Sequence, residues 1–287
     1  MNTSSQLQLY VISFSNIIDE GYKNYEASLQ KFGYNYTILG QGIKWKGFVK
    51  TKIRNIYKHL KTLPQNNTVV CITDVNDVIA CCGPDEVLSK FKQFDSNIVL
   101  GVEETNFFFN CIKEQRNKFP NHIKRVYANG GFYMGYTPDI IKMYDYMFTL
   151  GENDDQLCLG TYNINHDEHS MDIKSKIVYN LFNNTYKIKD NRIYVPYSKE
   201  YPCFVHMMGK FTCNPICKTI LGKDYCHISF YSAAMHNLGK LKMYFNQLKY
   251  VIFLTFIVMC ILLYCIFDLK VMFIFAIAFL TLLLCLI

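Results

Sequence analysis

The sequence predicts an α/β fold with a mixed, mostly parallel central sheet, followed by a C-terminal hydrophobic tail able to form transmembrane helices. Three observations predict it. Apolar, β-branched runs alternate with helical patterns through the first hundred residues, an acidic pair follows directly on the most apolar of those runs, and two uncharged stretches close the chain. A chain of 287 residues that is 51% hydrophobic can bury a full-size core, which predicts one large domain, residues 1–235, rather than several small ones.

Leu7 to Ser15 reads as the first strand, and Glu20 to Phe32 as an amphipathic helix ended by Gly33. Tyr34 to Leu39 is the second strand. A glycine-punctuated loop, Gly40 to Gly47, leads to a helix from about Lys50 to Leu63, stopped by Pro64. Thr68 to Thr73 is an unbroken apolar and β-branched run, the pattern of a strand covered on both faces. Pro84 to Phe94 reads as a helix opening on proline, and Asn97 to Val102 as another buried strand.

The formal charge of +7, from 30 basic against 23 acidic residues, is scattered and forms no basic block, which argues against nucleic acid as a ligand. Twelve cysteines are spread along the chain rather than paired in a short framework, so reduced thiols are expected. Cys213 and Cys217 could hold zinc with Cys203 and Cys226 or His227, but packing cysteines are the simpler reading because no C-x-x-C knuckle is present.

Val251 to Phe267 and Val271 to Ile287 carry no charge and are parted only by Asp268, Leu269 and Lys270. As helices, these 17-residue runs reach about 26 Å, enough for a thin bilayer. The chain is therefore expected to carry a basic juxtamembrane segment over 236–249 and a membrane anchor over 250–287, as two short spans or a hairpin. Lys240, Lys242 and Lys249 before the first span, with no signal peptide visible at the N-terminus, predict a cytosolic catalytic domain.

The chemistry concentrates in four segments. Asp74 and Asp77 fall at the C-terminal end of a buried strand, where α/β sheets bind ligands, and two carboxylates there are costly unless a hard cation neutralises them; the alternative is a helix cap. Gly130 and Gly131 lead into an aromatic strand and permit close backbone approach to a ligand, or form an ordinary hairpin turn. Asp154 and Asp155, in an acidic cluster, are candidates for orienting or deprotonating an acceptor hydroxyl, or for a solvated helix N-terminus. His206 ends a short apolar strand, where an imidazole can complete a mixed oxygen and nitrogen site suited to Mn²⁺, or sit hydrogen-bonded in the core.

In this order, the segments resemble the glycosyltransferase domain of the procollagen lysyl hydroxylase and glycosyltransferase family. The resemblance spans about Leu9 to Lys210, through Tyr34 to Gly40, Trp45-Lys46-Gly47, Lys52-Ile53-Arg54, Asp74 to Ile79, Gly130-Gly131-Phe132, Asp154-Asp155-Gln156 and Val205-His206 with Gly209-Lys210. It implies a GT-A-type fold that uses a UDP-sugar and Mn²⁺ to transfer glucose or galactose to a hydroxyl, with hydroxylysine or galactosyl-hydroxylysine of collagen-like chains as acceptor. Carried over by position, Asp74, Asp77 and His206 are the metal ligands. Ser13, Trp45, Lys52, Asn76, Gly130, Gly131, Gly209 and Lys210 lie at the nucleotide or diphosphate, and Asp154 and Asp155 lie near the transferred sugar and the acceptor. Asn76 stands where the family has an aromatic residue that stacks on uracil, which keeps open a second reading: a degenerate domain retained as a membrane-anchored binding or structural protein.

Overall fold

The computed structural model describes residues 7–104, 112–181, 186–207 and 214–223. The expected membrane spans, the juxtamembrane segment, and Gly209, Lys210, Cys213, Cys226 and His227 lie outside these residues. No helix among the described residues is long and apolar enough to cross a membrane.

The elements follow in the order β1 (Gln8–Phe14), α1 (Glu20–Lys31), β2 (Asn35–Leu39), α2 (Arg54–Leu60), β3 (Thr68–Thr73), β4 (Val78–Ala80), α3 (Pro84–Phe91), β5 (Ile98–Glu103) and α4 (Ile112–Asn117). After these come β6 (Tyr127–Tyr136), α5 (Thr137–Thr149), α6 (Asp155–Asn165), β7 (His169–Met171), β8 (Val178–Asn180), β9 (Lys187–Lys189), β10 (Arg192–Tyr194), β11 (Phe204–His206) and α7 (Asn214–Leu221). A π-helical turn, Phe48–Ile53, runs directly into α2, so the helix expected from Lys50 to Leu63 is wound wider at its start and ends sooner.

The main sheet has the order β2-β1-β3-β6-β5-β7. β1 pairs in parallel with β2 and β3, and β5 with β7, whereas β6 is antiparallel to both β3 and β5. The sheet is therefore mixed, with its one reversed strand at the centre. That strand holds Gly130 and Gly131, so the turn considered for them is corrected: both glycines lie inside β6, fully buried. Local pattern suggested a reversal because two glycines relieve a bend, but here they relieve crowding from a neighbour across the site.

Alternation along the strands sets up two cores. Leu9 and Val11 of β1, Val69 and Cys71 of β3, and Phe132 and Met134 of β6 face α1 and α3. Their neighbours Ile12, Val70, Ile72 and Tyr133 face α2, α5 and α6. A second sheet, β4-β11-β8, turns Val78, Ala80, Val178 and Phe204 toward the first core and Ile79, Tyr179 and Val205 toward α7. Burying this small sheet on both faces explains why its three-residue strands are almost wholly apolar.

Phe204 joins the two sheets, with ring centroids 5.1 Å from Phe132 and 5.6 Å from Tyr34. Removing such a buried ring leaves a cavity as well as losing transfer energy, so Phe204→Ala is expected to cost about 3–5 kcal/mol in chemical denaturation. Ile188→Ala, at a position 47% exposed, is expected to change stability by less than about 0.5 kcal/mol in the same measurement.

Candidate active site

Beyond the C-terminal end of β3 the chain turns through Asp74, Val75, Asn76 and Asp77 before entering β4. The backbone holds this turn from both sides: the Asp74 N–H donates to the Gly131 carbonyl at 2.9 Å, and the Met207 N–H donates to the Asp77 carbonyl at 2.7 Å. The second bond extends the antiparallel β4–β11 ribbon, in which His206 stands opposite Val78. As a result, one side-chain atom from each of Asp74, Asp77 and His206 lies within 4.8 Å of the others.

The histidine is oriented as well as placed. Asn180 donates from Nδ2 to the Val102 carbonyl at 2.9 Å, which turns its Oδ1 toward His206 Nδ1 at 2.8 Å. Nδ1 therefore donates to Asn180, and Nε2 lies 3.3 Å from Asp77 Oδ2, holding a proton toward that carboxylate in the imidazolium and offering its lone pair to a cation once the proton is lost. Arg125 steadies the support, donating from Nη2 to the carbonyls of Asn180 and Val102. Burial opposes a charge on His206, but the carboxylates of Asp77, Asp74 and Glu103 together outweigh burial and raise its pKa in the cation-free protein. Gly131 makes the arrangement possible: a Cβ there would stand 2.1 Å from the imidazole Cε1. Only glycine leaves room for the ring.

Lys52, on the π-helical turn and 3% exposed, reaches the same point from the opposite face of the main sheet. Its Nζ lies 2.6 Å from Asp74 Oδ1 and 2.8 Å from Asp155 Oδ2, and donates to the Gly130 carbonyl at 3.2 Å. Burial works against the ammonium, yet Asp155 and Asp74 outweigh it and hold its pKa above the ordinary lysine range. Burial likewise pushes the Asp155 carboxyl up, against the pull of Lys52.

The acidic segment divides its labour. Asp154 is the N-cap of α6, accepting from the Leu157 N–H at 2.9 Å, while Asp155 turns inward to Lys52. The segment is bound to the Trp45 loop through Asn153, whose Oδ1 accepts from Lys50 N–H and whose Nδ2 donates to the Lys46 carbonyl. Gly47, at φ 115°, permits that crossing, since any Cβ would collide with the Asn153 amide. Trp45 and Phe48 stand edge to face at 5.1 Å, 41% and 43% exposed, and form an aromatic rim.

Glu103, at the C-terminal tip of β5, escaped the sequence reading although it obeys the rule that flagged Asp74. It is 1% exposed and accepts from Asn129 Nδ2 at 2.9 Å and from Gln156 Nε2 at 2.7 Å. Burial, partly offset by these bonds, raises its pKa to about 7. Asn180 and Arg125 were also missed, and nothing local in the sequence marks them. Ser13 is a correction. It is fully buried, and its hydroxyl is engaged with Tyr25 Oη at 2.6 Å and Thr73 Oγ1 at 2.8 Å, with Tyr25 and Thr73 closing the ring. An inward-pointing hydroxyl beneath the strand ends is not available to a nucleotide. Of the cysteines considered for zinc, Cys217 packs in the α7 core, as the simpler packing reading has it, while Cys203 lies with Cys82 and Glu86.

A central strand ending in two carboxylates, a histidine delivered from a second sheet and an inward acid held by a buried lysine define a glycosyltransferase-class α/β domain. The family model described as the PLOD GT domain matches residues 5–212, and the chain belongs to that family. Among curated proteins, an uncharacterized protein of Acanthamoeba polyphaga mimivirus is 27% identical over 219 residues, covering 72% of this chain and 47% of that protein. Procollagen-lysine,2-oxoglutarate 5-dioxygenase 1 of Bos taurus is 32% identical over 143 residues, covering 47% of this chain and 19% of that protein. The chain thus spans about half the length of the viral relative and about a fifth of the bovine one. Among solved structures, the WbbM bifunctional glycosyltransferase overlays with a TM-score of 0.41 at 9% identity, covering 72% of this chain and 47% of that one.

Two outcomes follow from the geometry. Lys52→Met leaves Asp155 buried without its counter-charge and is expected to cost about 3–5 kcal/mol in denaturant unfolding, part of which Lys52→Met with Asp155→Asn recovers. A carboxyl whose folded pKa lies above its unfolded value binds its proton more tightly in the folded chain. The contribution of Glu103 to stability therefore falls as pH rises from about 4.5 to about 7 and levels off above, and Glu103→Gln is expected to flatten that part of the stability–pH curve of the metal-free protein.

Proposed function

We propose that the chain transfers a hexose, glucose or galactose, from a UDP-sugar to a hydroxyl acceptor, with Mn²⁺ held by Asp74, Asp77 and His206. The observation that carries this reading is an unbalanced charge. Asp74 and Asp155 meet one ammonium, Lys52, while Asp77 faces the His206 imidazole; with that imidazole neutral, as a metal ligand must be, three carboxylates against one ammonium leave a formal charge of −2 that a single divalent cation cancels. The donor set fits such an ion: two carboxylates, and an imidazole whose Nε2 lone pair is set free by the Nδ1 hydrogen bond to Asn180. When bound, the cation supplies Lewis-acid compensation for charge on the diphosphate leaving group.

The chain's own groups do the remaining work. Lys52 fixes Asp155, which orients or deprotonates the acceptor hydroxyl, and Asp154 sets the start of the helix that carries it. Trp45 offers an exposed ring for the nucleotide base, a role that falls to it because Asn76 has no aromatic face. Gly130 and Gly131 keep the strand surface flat beside the cation ligands, and Gly209 and Lys210 meet the diphosphate. The family relationship suggests hydroxylysine of a collagen-like chain as the acceptor class. The apolar tail anchors the domain to a bilayer, with Lys240, Lys242 and Lys249 setting it on the cytosolic side.

UDP release from a panel of nucleotide sugars, with collagen-like peptides and free glycans as acceptors, tests the reading. Asp77→Ala is expected to lower turnover at least about 100-fold, and chelation to abolish activity that Mn²⁺ restores. Full activity of Asp77→Ala would refute the ligand assignment. Binding of neither Mn²⁺ nor UDP would favour the structural reading that Asn76 keeps open.

A further inference from the structure

The β4–β11 ribbon has two ends. One end carries Asp77 and His206. The other carries Cys82, two residues past β4, and Cys203, one residue before β11, with the Cys81 N–H donating to the Cys203 carbonyl at 2.7 Å to prolong the pairing. Glu86, in the first turn of α3, reaches the same point, and one ligand atom from each of Cys82, Glu86 and Cys203 lies within 4.8 Å of the others.

We infer that Cys82, Cys203 and Glu86 form a zinc site that fastens the far end of this ribbon to the start of α3. Tetrahedral zinc with bonds of about 2.3 Å to sulfur wants its sulfurs about 3.8 Å apart, so a small side-chain closure completes the site. The surrounding charges fit the ligand set. Lys90 Nζ at 2.8 Å and Arg192 Nη2 at 2.7 Å both hold Oε1 of Glu86, and Oε2 has no partner among the described residues. Two thiolates, one carboxylate and Zn²⁺ carry a formal charge of −1, the same as the Glu86 carboxylate beside two protonated thiols, so exchanging two protons for the ion leaves the balance against Lys90 and Arg192 unchanged. A groove of about 650 Å³ bordered by Cys82, Glu86, Arg192 and Lys218 gives the ion an entry path and a place for a water as fourth ligand. Binding displaces a proton from each thiol, so uptake weakens as pH falls. The site shares no residue with the Asp74, Asp77 and His206 cluster, and the inference does not rest on the transferase reading.

Cobalt(II) reports thiolate ligation directly, because only sulfur ligands give an intense thiolate-to-cobalt charge-transfer band in the near ultraviolet. The purified full chain is expected to take up Co²⁺ with this band, to keep it in Asp77→Ala and to lose it in Cys82→Ser and in Cys203→Ser. Glu86→Gln, which preserves both thiols, is expected to weaken cobalt retention by more than about tenfold. Should the serine variants fail to fold, alkylation of the wild-type chain followed by peptide mapping decides: Zn²⁺ shields Cys82 and Cys203 until a chelator is added. No band in the wild type, a band that persists without Cys82, equal alkylation with and without Zn²⁺, or a Cys82–Cys203 disulfide in the isolated protein would each overturn the site.

Discussion

The architecture around the site depends on one buried ammonium. Lys52 approaches from the face of the main sheet that packs on α2, α5 and α6, and there it meets Asp74 from the turn after β3, Asp155 from α6 and the Gly130 carbonyl of β6. A lysine with this little exposure is tolerated only because two carboxylates and a carbonyl meet it, and those carboxylates are tolerated in turn because the lysine is there. The π-helical turn before α2 belongs to the same constraint. Its wider winding seats Val49, Thr51, Lys52 and Ile53 all as buried residues, which an ordinary helical repeat in a surface helix does not.

The second sheet solves a different problem, that of bringing together Asp74 and His206 from opposite ends of the domain. Three short strands are enough because both of their faces are covered and their ladder continues through backbone bonds on either side, Met207 to Asp77 and Cys81 to Cys203. Ligand geometry is thus inherited from strand register, and a one-residue slip between β4 and β11 would turn the imidazole to the opposite face.

What could be read from the sequence was whatever is encoded locally. The apolar runs of β1, β3 and β5 announced themselves, and Asp74 and Asp77 stood out because acids at the end of a buried strand need a reason. Glu103 met the same condition and was passed over, although Glu104 follows it directly. Residues whose role exists only across the fold were silent: Asn180 is one asparagine in an asparagine-rich chain until Val102 and His206 close around its amide. For Gly130 and Gly131 the sequence left close approach and a hairpin turn both open, since a pair of glycines looks the same whether it relieves a bend or makes space for an imidazole delivered from 75 positions further on (206 − 131). Ser13 was carried over by position alone, and position does not say which way a hydroxyl points.

Beneath the strand ends, the hydroxyls of Ser13, Tyr25 and Thr73 form a closed triangle with no exposure to water. Each hydroxyl has one hydrogen to give and lone pairs to receive, so the triangle is satisfied by circulating its hydrogens clockwise or anticlockwise. The two senses differ in the direction of three bond dipoles and need no heavy atom to move. The floor under Asp74 is therefore a small reversible polariser, able to adjust its local field to the charge above it while the backbone stays still.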